Sequence, residues 1–224
     1  MVLARKVNYP KKSHRKKILL PEHSVELAEF FGILLGDGGI SSWQSKITVN
    51  AVADLEYVAY VEELCITLFG IRPAIYPRRS ASAVDIVLNS VNVVEFLTSQ
   101  GLHKGNKLSQ GLAIPPWILS RPEYRAACIR GLFDTDGCLY IHAHRVAGKE
   151  YRNIGACFNS ASPQLIGQVA SIFEESGIIP HIDRKGRNIF LYSAQAVERY
   201  LQVFGTSNNR IKSVYERWRV RIAV

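Results

Sequence analysis

The sequence predicts an α+β fold built from two copies of one αββαββα unit. Three observations predict it. An apolar helical motif that closes on Asp-Gly occurs twice, a Gly-Ile turn follows each copy, and helix-like and strand-like segments run in the same order after both. The motif copies are Phe30-Phe31-Gly32-Ile33-Leu34-Leu35-Gly36-Asp37-Gly38 and Ile129-Arg130-Gly131-Leu132-Phe133-Asp134-Thr135-Asp136-Gly137, which places Asp37 and Asp136 99 residues apart. Gly70-Ile71-Arg72-Pro73 answers Gly177-Ile178-Ile179-Pro180 at 107 residues, so the second copy carries about eight extra residues in its first hairpin.

In chain order, residues 1–20 read as a basic arm, 21–108 as the first repeat, 109–121 as a linker and 122–224 as the second repeat. Ser24 to Asp37 has Leu27, Phe30, Phe31, Leu34 and Leu35 at helical spacing, with Ser24 as N-cap and Gly38 as the C′ glycine. Segments 46–53 and 83–90 read as strands, and Asp54 is placed to cap a helix running to about Phe69. Gly111 to Ser120 contains Ile114-Pro115-Pro116-Trp117, too rich in proline for a helix interior, and reads as the connection between copies. In the second copy Ser162-Pro163 pairs an N-cap with proline at the first helical position. Strands are expected near 138–146, 152–159, 179–184 and 188–193, with a turn at Lys185-Gly186-Arg187-Asn188.

Composition narrows the function. At 224 residues, 47% hydrophobic and 21% charged, the chain is of globular type and long enough for its own core. No apolar run approaches the roughly 18 residues that span a bilayer, and no secretory signal opens the chain, so no membrane partner is expected. The expected location is intracellular, cytoplasm or nucleoid, with an organellar presequence as the weaker reading of the tail. Cys65, Cys128, Cys138 and Cys157 show no metal or redox spacing and are expected as reduced thiols, Cys138 and Cys157 facing the core. The 28 basic against 19 acidic side chains give +9. Seven of those charges fall within residues 1–17, which contain no acid. The rest of the excess is patterned into acid-free clusters at Arg72, Arg78 and Arg79, at His142, His144 and Arg145, and at Arg184, Lys185 and Arg187. Recurrence at related places points to a polyanionic partner.

One helix ending in Asp-Gly is an ordinary C-terminus, but two copies carry more. Each motif adds a carboxylate to a helix end where the macrodipole is already negative, so something cationic should offset it. A divalent metal would do so, held by Asp37, Asp136 and the last-turn carbonyls of Gly36 and Thr135, all hard oxygen ligands. Gly32 and Gly131 leave the two helices free to approach closely, which would set the two carboxylates side by side.

These residues resemble the LAGLIDADG homing endonucleases of the single-chain, two-motif type, over about Glu22 to Lys212. The copies are imperfect: the sixth position is Leu35 in one and Asp134 in the other, while the eighth, which carries the metal in that family, is aspartate in both. The resemblance implies motif helices packed at the centre of a pseudo-two-fold molecule, with two antiparallel sheets forming a saddle on double-stranded DNA. It implies a monomer that makes a site-specific double-strand break with 3′ overhangs in a long, non-palindromic target. Mg²⁺ is the implied cofactor, with Mn²⁺ substituting and Ca²⁺ binding without supporting cleavage. It further implies a basic residue near each scissile phosphate: Lys107 in the first copy, otherwise a linker lysine in solvent, and Lys212 in the second, where Ile211 takes the matching place between Arg210 and Lys212. Tyr140, His142 and His144 alternate with Leu139, Ile141 and Ala143, as strands lying on a major groove should. Arg72, Tyr76, Arg78, Arg79, Arg145, Arg152, His181, Arg184, Lys185 and Arg187 complete the expected DNA-binding set. Asn50 and Asn159 either orient water or, the favoured reading, serve as polar groups where a helix starts. The start at Met1 without flanking splicing motifs favours intron encoding, which would add the intron's own RNA as a partner. An RNA maturase or a non-cleaving DNA-binding protein on the same fold is the alternative.

Overall fold

The computed structural model describes residues 14–78 and 82–222. Helix α1 (Val25–Gly36) opens with the Ser24 hydroxyl accepting the Leu27 N–H at 3.1 Å, as its sequence predicts, and Leu27 to Gly36 are all buried. A helix buried all round needs neighbours on several sides, and its main one is α5 (Pro122–Asp136). The two meet backbone to backbone. A Cβ on Gly32 would lie 2.1 Å from the carbonyl oxygen of Cys128, and one on Gly131 would lie 2.3 Å from that of Glu29.

After α1 come β1 (Gly38–Ile40), β2 (Ser45–Asn50), α2 (Leu55–Phe69), β3 (Ala74–Pro77), β4 (Ala83–Leu88) and α3 (Val91–Ser99). The short α4 (Pro116–Leu119) leads into α5, followed by β5 (Gly137–Val146), β6 (Lys149–Asn159), α6 (Pro163–Glu175), β7 (His181–Ile182), β8 (Asn188–Leu191), α7 (Ala194–Val203) and α8 (Asn209–Ile222). The strands form two four-stranded antiparallel sheets of matching order, β1-β2-β4-β3 and β5-β6-β8-β7. One face of each is packed: Ile47, Val49, Val84 and Ile86 in the first, Leu139, Ile154, Ala156, Phe158, Ile189 and Leu191 in the second. The extra residues of the second copy lengthen its first hairpin, which closes on Ala147 and Gly148, both at positive φ.

Several expectations change. Neither motif glycine is a left-handed cap: Gly38 already belongs to β1, and Gly137 is extended (φ −101°, ψ 161°). Each strand turns straight back over the last turn of its helix, and a Cβ on Gly38 or Gly137 would lie 2.4 Å from the Leu34 carbonyl oxygen or 2.5 Å from that of Phe133. Smallness is therefore what these positions require. The proline-rich connection does contain a helical turn, α4, because Pro116 sits at its first position, where the missing N–H costs no hydrogen bond. Asp54 stands at the N-cap of α2 but makes no capping bond; Asn50 Oδ1 serves that start, accepting the N–H groups of Val52 and Ala53 at 2.9 Å each. Cys138 and Cys157 do not face the core. They sit opposite each other across β5 and β6 with the Tyr140 side, Cys138 exposed and Cys157 half-buried, because the strand phase set by buried Leu139 and Phe158 turns them outward. Helix α8 has no counterpart in the first repeat; it lies along β5, with Trp218 donating to the Arg152 carbonyl at 3.0 Å.

The basic arm is described from His14. His14 and Leu19 pair by backbone with Val91 and Phe69, and Arg15 forks onto Glu95 at 2.6 and 2.8 Å, so this stretch is docked on α3 and the end of α2. Among the described residues no helix is long and apolar enough to cross a membrane.

A charge is buried between the two repeats. Glu29, 2% exposed, takes the guanidinium of Arg130 from α5 and the hydroxyls of Tyr60 and Ser207 at 2.7 Å each. Breaking such a pair from one side leaves a carboxylate with too few donors. Arg130→Met should therefore cost about 3 kcal/mol in urea unfolding at pH 7, and a loss under about 1 kcal/mol would show that the other donors suffice.

Candidate functional site

Because α1 and α5 touch at Gly32 and Gly131 and stay close to their ends, their C-termini lie together. A Cβ on Gly36 would come within 2.1 Å of the Thr135 hydroxyl and 3.2 Å of Asp136 Oδ2, so the Asp136 carboxylate leans over the last residue of α1. Asp37 follows as the C-cap of that helix. Burial and then the charge of Asp37 push the Asp136 carboxyl up to about 7, with Lys107 opposing. Asp37, the more exposed of the two, is raised by partial burial against the pull of Lys107.

Lys107 is not a solvent lysine. Its Nζ donates to the Leu35 carbonyl at 2.7 Å, also to that of Gly36, and reaches the Leu34 carbonyl at 3.5 Å. Burial lowers its pKa, and Asp136 and Asp37 oppose the shift. An ammonium thus sits at the negative end of α1 within electrostatic reach of both carboxylates, the offset that the paired Asp-Gly ends call for.

The other helix end has a different cation. Arg210, from the first turn of α8, donates to the carbonyls of Asp134 (3.3 Å) and Gly137 (3.4 Å), and its Nε bonds Asp54 Oδ1 at 3.0 Å. Lys212, two residues on, is exposed. Ile211, fully buried, fixes the rotation of α8 so that Arg210 faces α5. Asp134, 1% exposed, accepts from the Thr206 hydroxyl and, at 2.8 Å, from the Ser207 N–H; burial still raises its carboxyl to about 7.

The raised acids have a measurable consequence in metal-free protein. Asp136 has an ordinary pKa of 3.8 and a folded value of about 7, so the native state holds the proton more tightly than the unfolded chain. Its contribution to stability is present below pH 4 and is lost as pH rises through 7. In EDTA at pH 8, Asp136→Asn should therefore melt a few degrees above the parent protein, the gap closing toward pH 5; melting below the parent at pH 8 would contradict this placement.

The expected DNA-binding residues separate by face. In the second sheet the register puts Tyr140, His142 and His144 on one side of β5, with Tyr151 and Asn153 beside them on β6, and His181 and Phe190 on the same side. The rings form stacked neighbours: His142 to His144 at 5.5 Å, His144 to Tyr151 at 5.6 Å, Phe190 to Tyr192 at 5.4 Å. Tyr140 covers Gly155, where a Cβ would lie 2.5 Å from its ring. Arg145 and Arg152 have the opposite strand phase, and Arg152 pairs with Glu150 at 2.6 Å. Arg184, Lys185 and Arg187 are exposed on the β7–β8 turn, built around Asp183, which accepts the Arg187 N–H at 2.8 Å. In the first sheet the uncovered face carries Lys46, Thr48, Tyr76 and Asp85, joined by Arg78, which bonds Asp85 and Thr48 at 3.0 Å each. Arg72 pairs instead with Glu62 of α2. Arg79 lies outside the described residues. Asn159 bonds Asn188 at 2.7 Å within the sheet.

Comparison with known proteins agrees with this layout. Residues 123–219 match the family description of a LAGLIDADG-like domain. The LAGLIDADG homing endonuclease I-LtrWI, solved bound to target DNA, superposes with a TM-score of 0.60 over 88% of this chain and 90% of its own, at 10% identity. I-DmoI in complex with DNA and Ca superposes at 0.53 over 80% and 88%, at 13% identity. Full-length DUF199/WhiA from Thermatoga maritima also superposes, at 0.55 over 90% of this chain and 62% of its own, at 13% identity. At these identities the likeness is one of fold. By sequence, the chain is 33% identical over 125 residues, 54% of its length, to the replication factor C small subunit of Methanocaldococcus jannaschii, of which it covers 6%.

Proposed function

We propose, from a chain that carries a LAGLIDADG-like domain in its second half and the LAGLIDADG endonuclease fold along nearly its whole length, that this protein is a site-specific endonuclease cutting both strands of a DNA duplex. The observation that carries the reading is the pair of carboxylates, Asp37 and Asp136, at two abutting helix ends, each end holding one basic side chain, Lys107 or Arg210. Nothing in the packing of α1 against α5 requires acids there, and both carboxyls are raised in pKa for being there. Asp134, raised as far, is bonded to Thr206 and Ser207, whereas among the described residues neither Asp37 nor Asp136 has a side-chain hydrogen bond, which leaves these two open to a cation or to substrate.

The residues fit a hard divalent cation. Asp37 and Asp136 would hold it with the Thr135 carbonyl; the Gly36 carbonyl, expected as a further ligand, already accepts from Lys107, and among the described residues no third His, Cys, Asp or Glu joins the acids. Two carboxylates, with remaining positions left to water and phosphate oxygens, is the usual protein share of a Mg²⁺ site. When bound, such an ion supplies activated water and neutralises charge on the phosphate. Mn²⁺ is expected to substitute and Ca²⁺ to bind without cleavage; the I-DmoI fold neighbours were solved with Ca and with Mn. Lys107 and Arg210 would each bring a positive charge to a scissile phosphate.

The uncovered sheet faces would form the two halves of the DNA saddle. They are unlike: charged on the first (Lys46, Arg78, Asp85), aromatic and imidazole-rich on the second (Tyr140, His142, His144, Tyr151, His181). Unlike halves read a non-palindromic site, with a single chain as the working unit. Residues 1–13, four of them basic, would add non-specific affinity that falls steeply with salt. Intron encoding completes the proposal.

A second reading, a binding protein without cleavage, is favoured by Lys107, whose ammonium on the last-turn carbonyls of α1 already offsets the negative helix end without a metal. Capture from a random-sequence duplex pool in Ca²⁺, followed by transfer to Mg²⁺, separates the two. The endonuclease releases one recurrent sequence with 3′ overhangs. A captured sequence that stays intact in Mg²⁺ and in Mn²⁺ selects the binding protein.

A further inference from the structure

Asp54 stands at the start of α2 in the first repeat, yet its carboxylate caps nothing and crosses to the second repeat. There Oδ1 accepts from Arg210 Nε at 3.0 Å and from Asn208 Nδ2 at 2.8 Å; its side chain is 11% exposed. Asn208 in turn bonds the Asp134 carbonyl at 3.1 Å, and Asp134 holds the loop before it through Thr206 and Ser207. Asp54 and Arg210 both lie close enough to bias Asp37. At the other helix end the hydrogen bonds of Lys107 among the described residues all go to backbone carbonyls. The two basic groups are thus held by different means. The one from the second repeat is clamped by an acid of the first.

We infer that Asp54 is the positioning residue for Arg210, so that the basic group serving one DNA strand is held by an acid of the other repeat, while Lys107, which serves the other strand, is held by carbonyls of its own repeat. This rests on the endonuclease reading above. A guanidinium on a long stem has several rotamers, and fixing one against α5 by two carbonyls needs a counter-charge on its far side. Without Asp54 the side chain swings toward solvent and its strand is cut more slowly.

The test uses supercoiled plasmid carrying the captured duplex, with strand-resolved product analysis in Mg²⁺. Asp54→Asn should slow one strand roughly 10- to 100-fold, the usual effect of losing a supporting partner, and leave the other within about twofold, so that singly nicked circles accumulate. Arg210→Met should slow the same strand, Lys107→Met the opposite one, and Asp54→Glu should restore much of the loss. Equal slowing of both strands, or none, in Asp54→Asn overturns the inference while leaving the parent protein a nuclease; absence of any cutting by the parent defeats the endonuclease reading instead. Should Asp54→Asn melt far below the parent, Arg210→Met decides alone, and loss on the same strand as Lys107→Met overturns the inference.

Discussion

Asp37→Ala and Asp136→Ala are each expected to lower DNA cleavage about 1000-fold or more while leaving target binding intact. The magnitude follows from what the carboxylates do: each is part of one small site, and removing one preorganised charge from such a site costs on the order of 100- to 1000-fold before loss of the metal is counted. The binding side follows from sign. Both acids sit at negative helix ends where a polyanion would come, so their loss removes repulsion. Gel shift in Ca²⁺ beside cleavage in Mg²⁺ reads both. Weakened binding in step with lost cleavage would instead mean that the acids hold the fold or the DNA.

Gly32→Val is expected to destabilise the protein by about 3 kcal/mol and to spoil the site with it. Its Cβ would stand 2.1 Å from the Cys128 carbonyl oxygen, 3.0 Å from that residue's carbonyl carbon and 3.0 Å from the Leu132 nitrogen, all backbone atoms of α5 that cannot rotate aside. The helices must separate, which opens the core between the repeats and draws Asp37 away from Asp136. For a chain of this size the loss corresponds to a fall of roughly 10 °C in Tm. Gly167→Ala on α6 is the control: nothing lies within 4 Å of a Cβ there, and relief of a helical glycine should raise Tm slightly. A Gly32→Val protein melting like the parent would show that the helices do not meet as described.

The centre of the molecule was legible because its constraints are local and doubled. Gly32 and Gly131, Asp37 and Asp136 recur at one spacing, and close helix packing with side-by-side acids follows from side-chain size and charge alone. What stayed hidden depends on rotation and on partners distant in sequence. Ile211 occupies the place matched to Lys107, and it is the hydrogen bonds of Arg210 to the Asp134 and Gly137 carbonyls, beside a buried Ile211, that show Arg210 turned to α5. The position of Asp54 before α2 reads as a cap, yet an arginine 156 residues away takes its carboxylate. Cys138 and Cys157 look like core residues until the phase of Leu139 and Phe158 turns them out. Glu29 gives no signal in its helix, since only the packed repeat brings Arg130 to it.

The central claim is that one pair of acids, one from each repeat, makes a single metal-dependent centre for both strands. Strand-resolved cleavage of the captured duplex by the parent, Asp37→Ala and Asp136→Ala in Mg²⁺, with EDTA controls, tests it most directly. The account predicts that the parent cuts both strands only with metal and that neither variant cuts either strand at an appreciable rate. Cleavage at the parent's rate by either variant, or cutting by the parent that persists in EDTA, would contradict it.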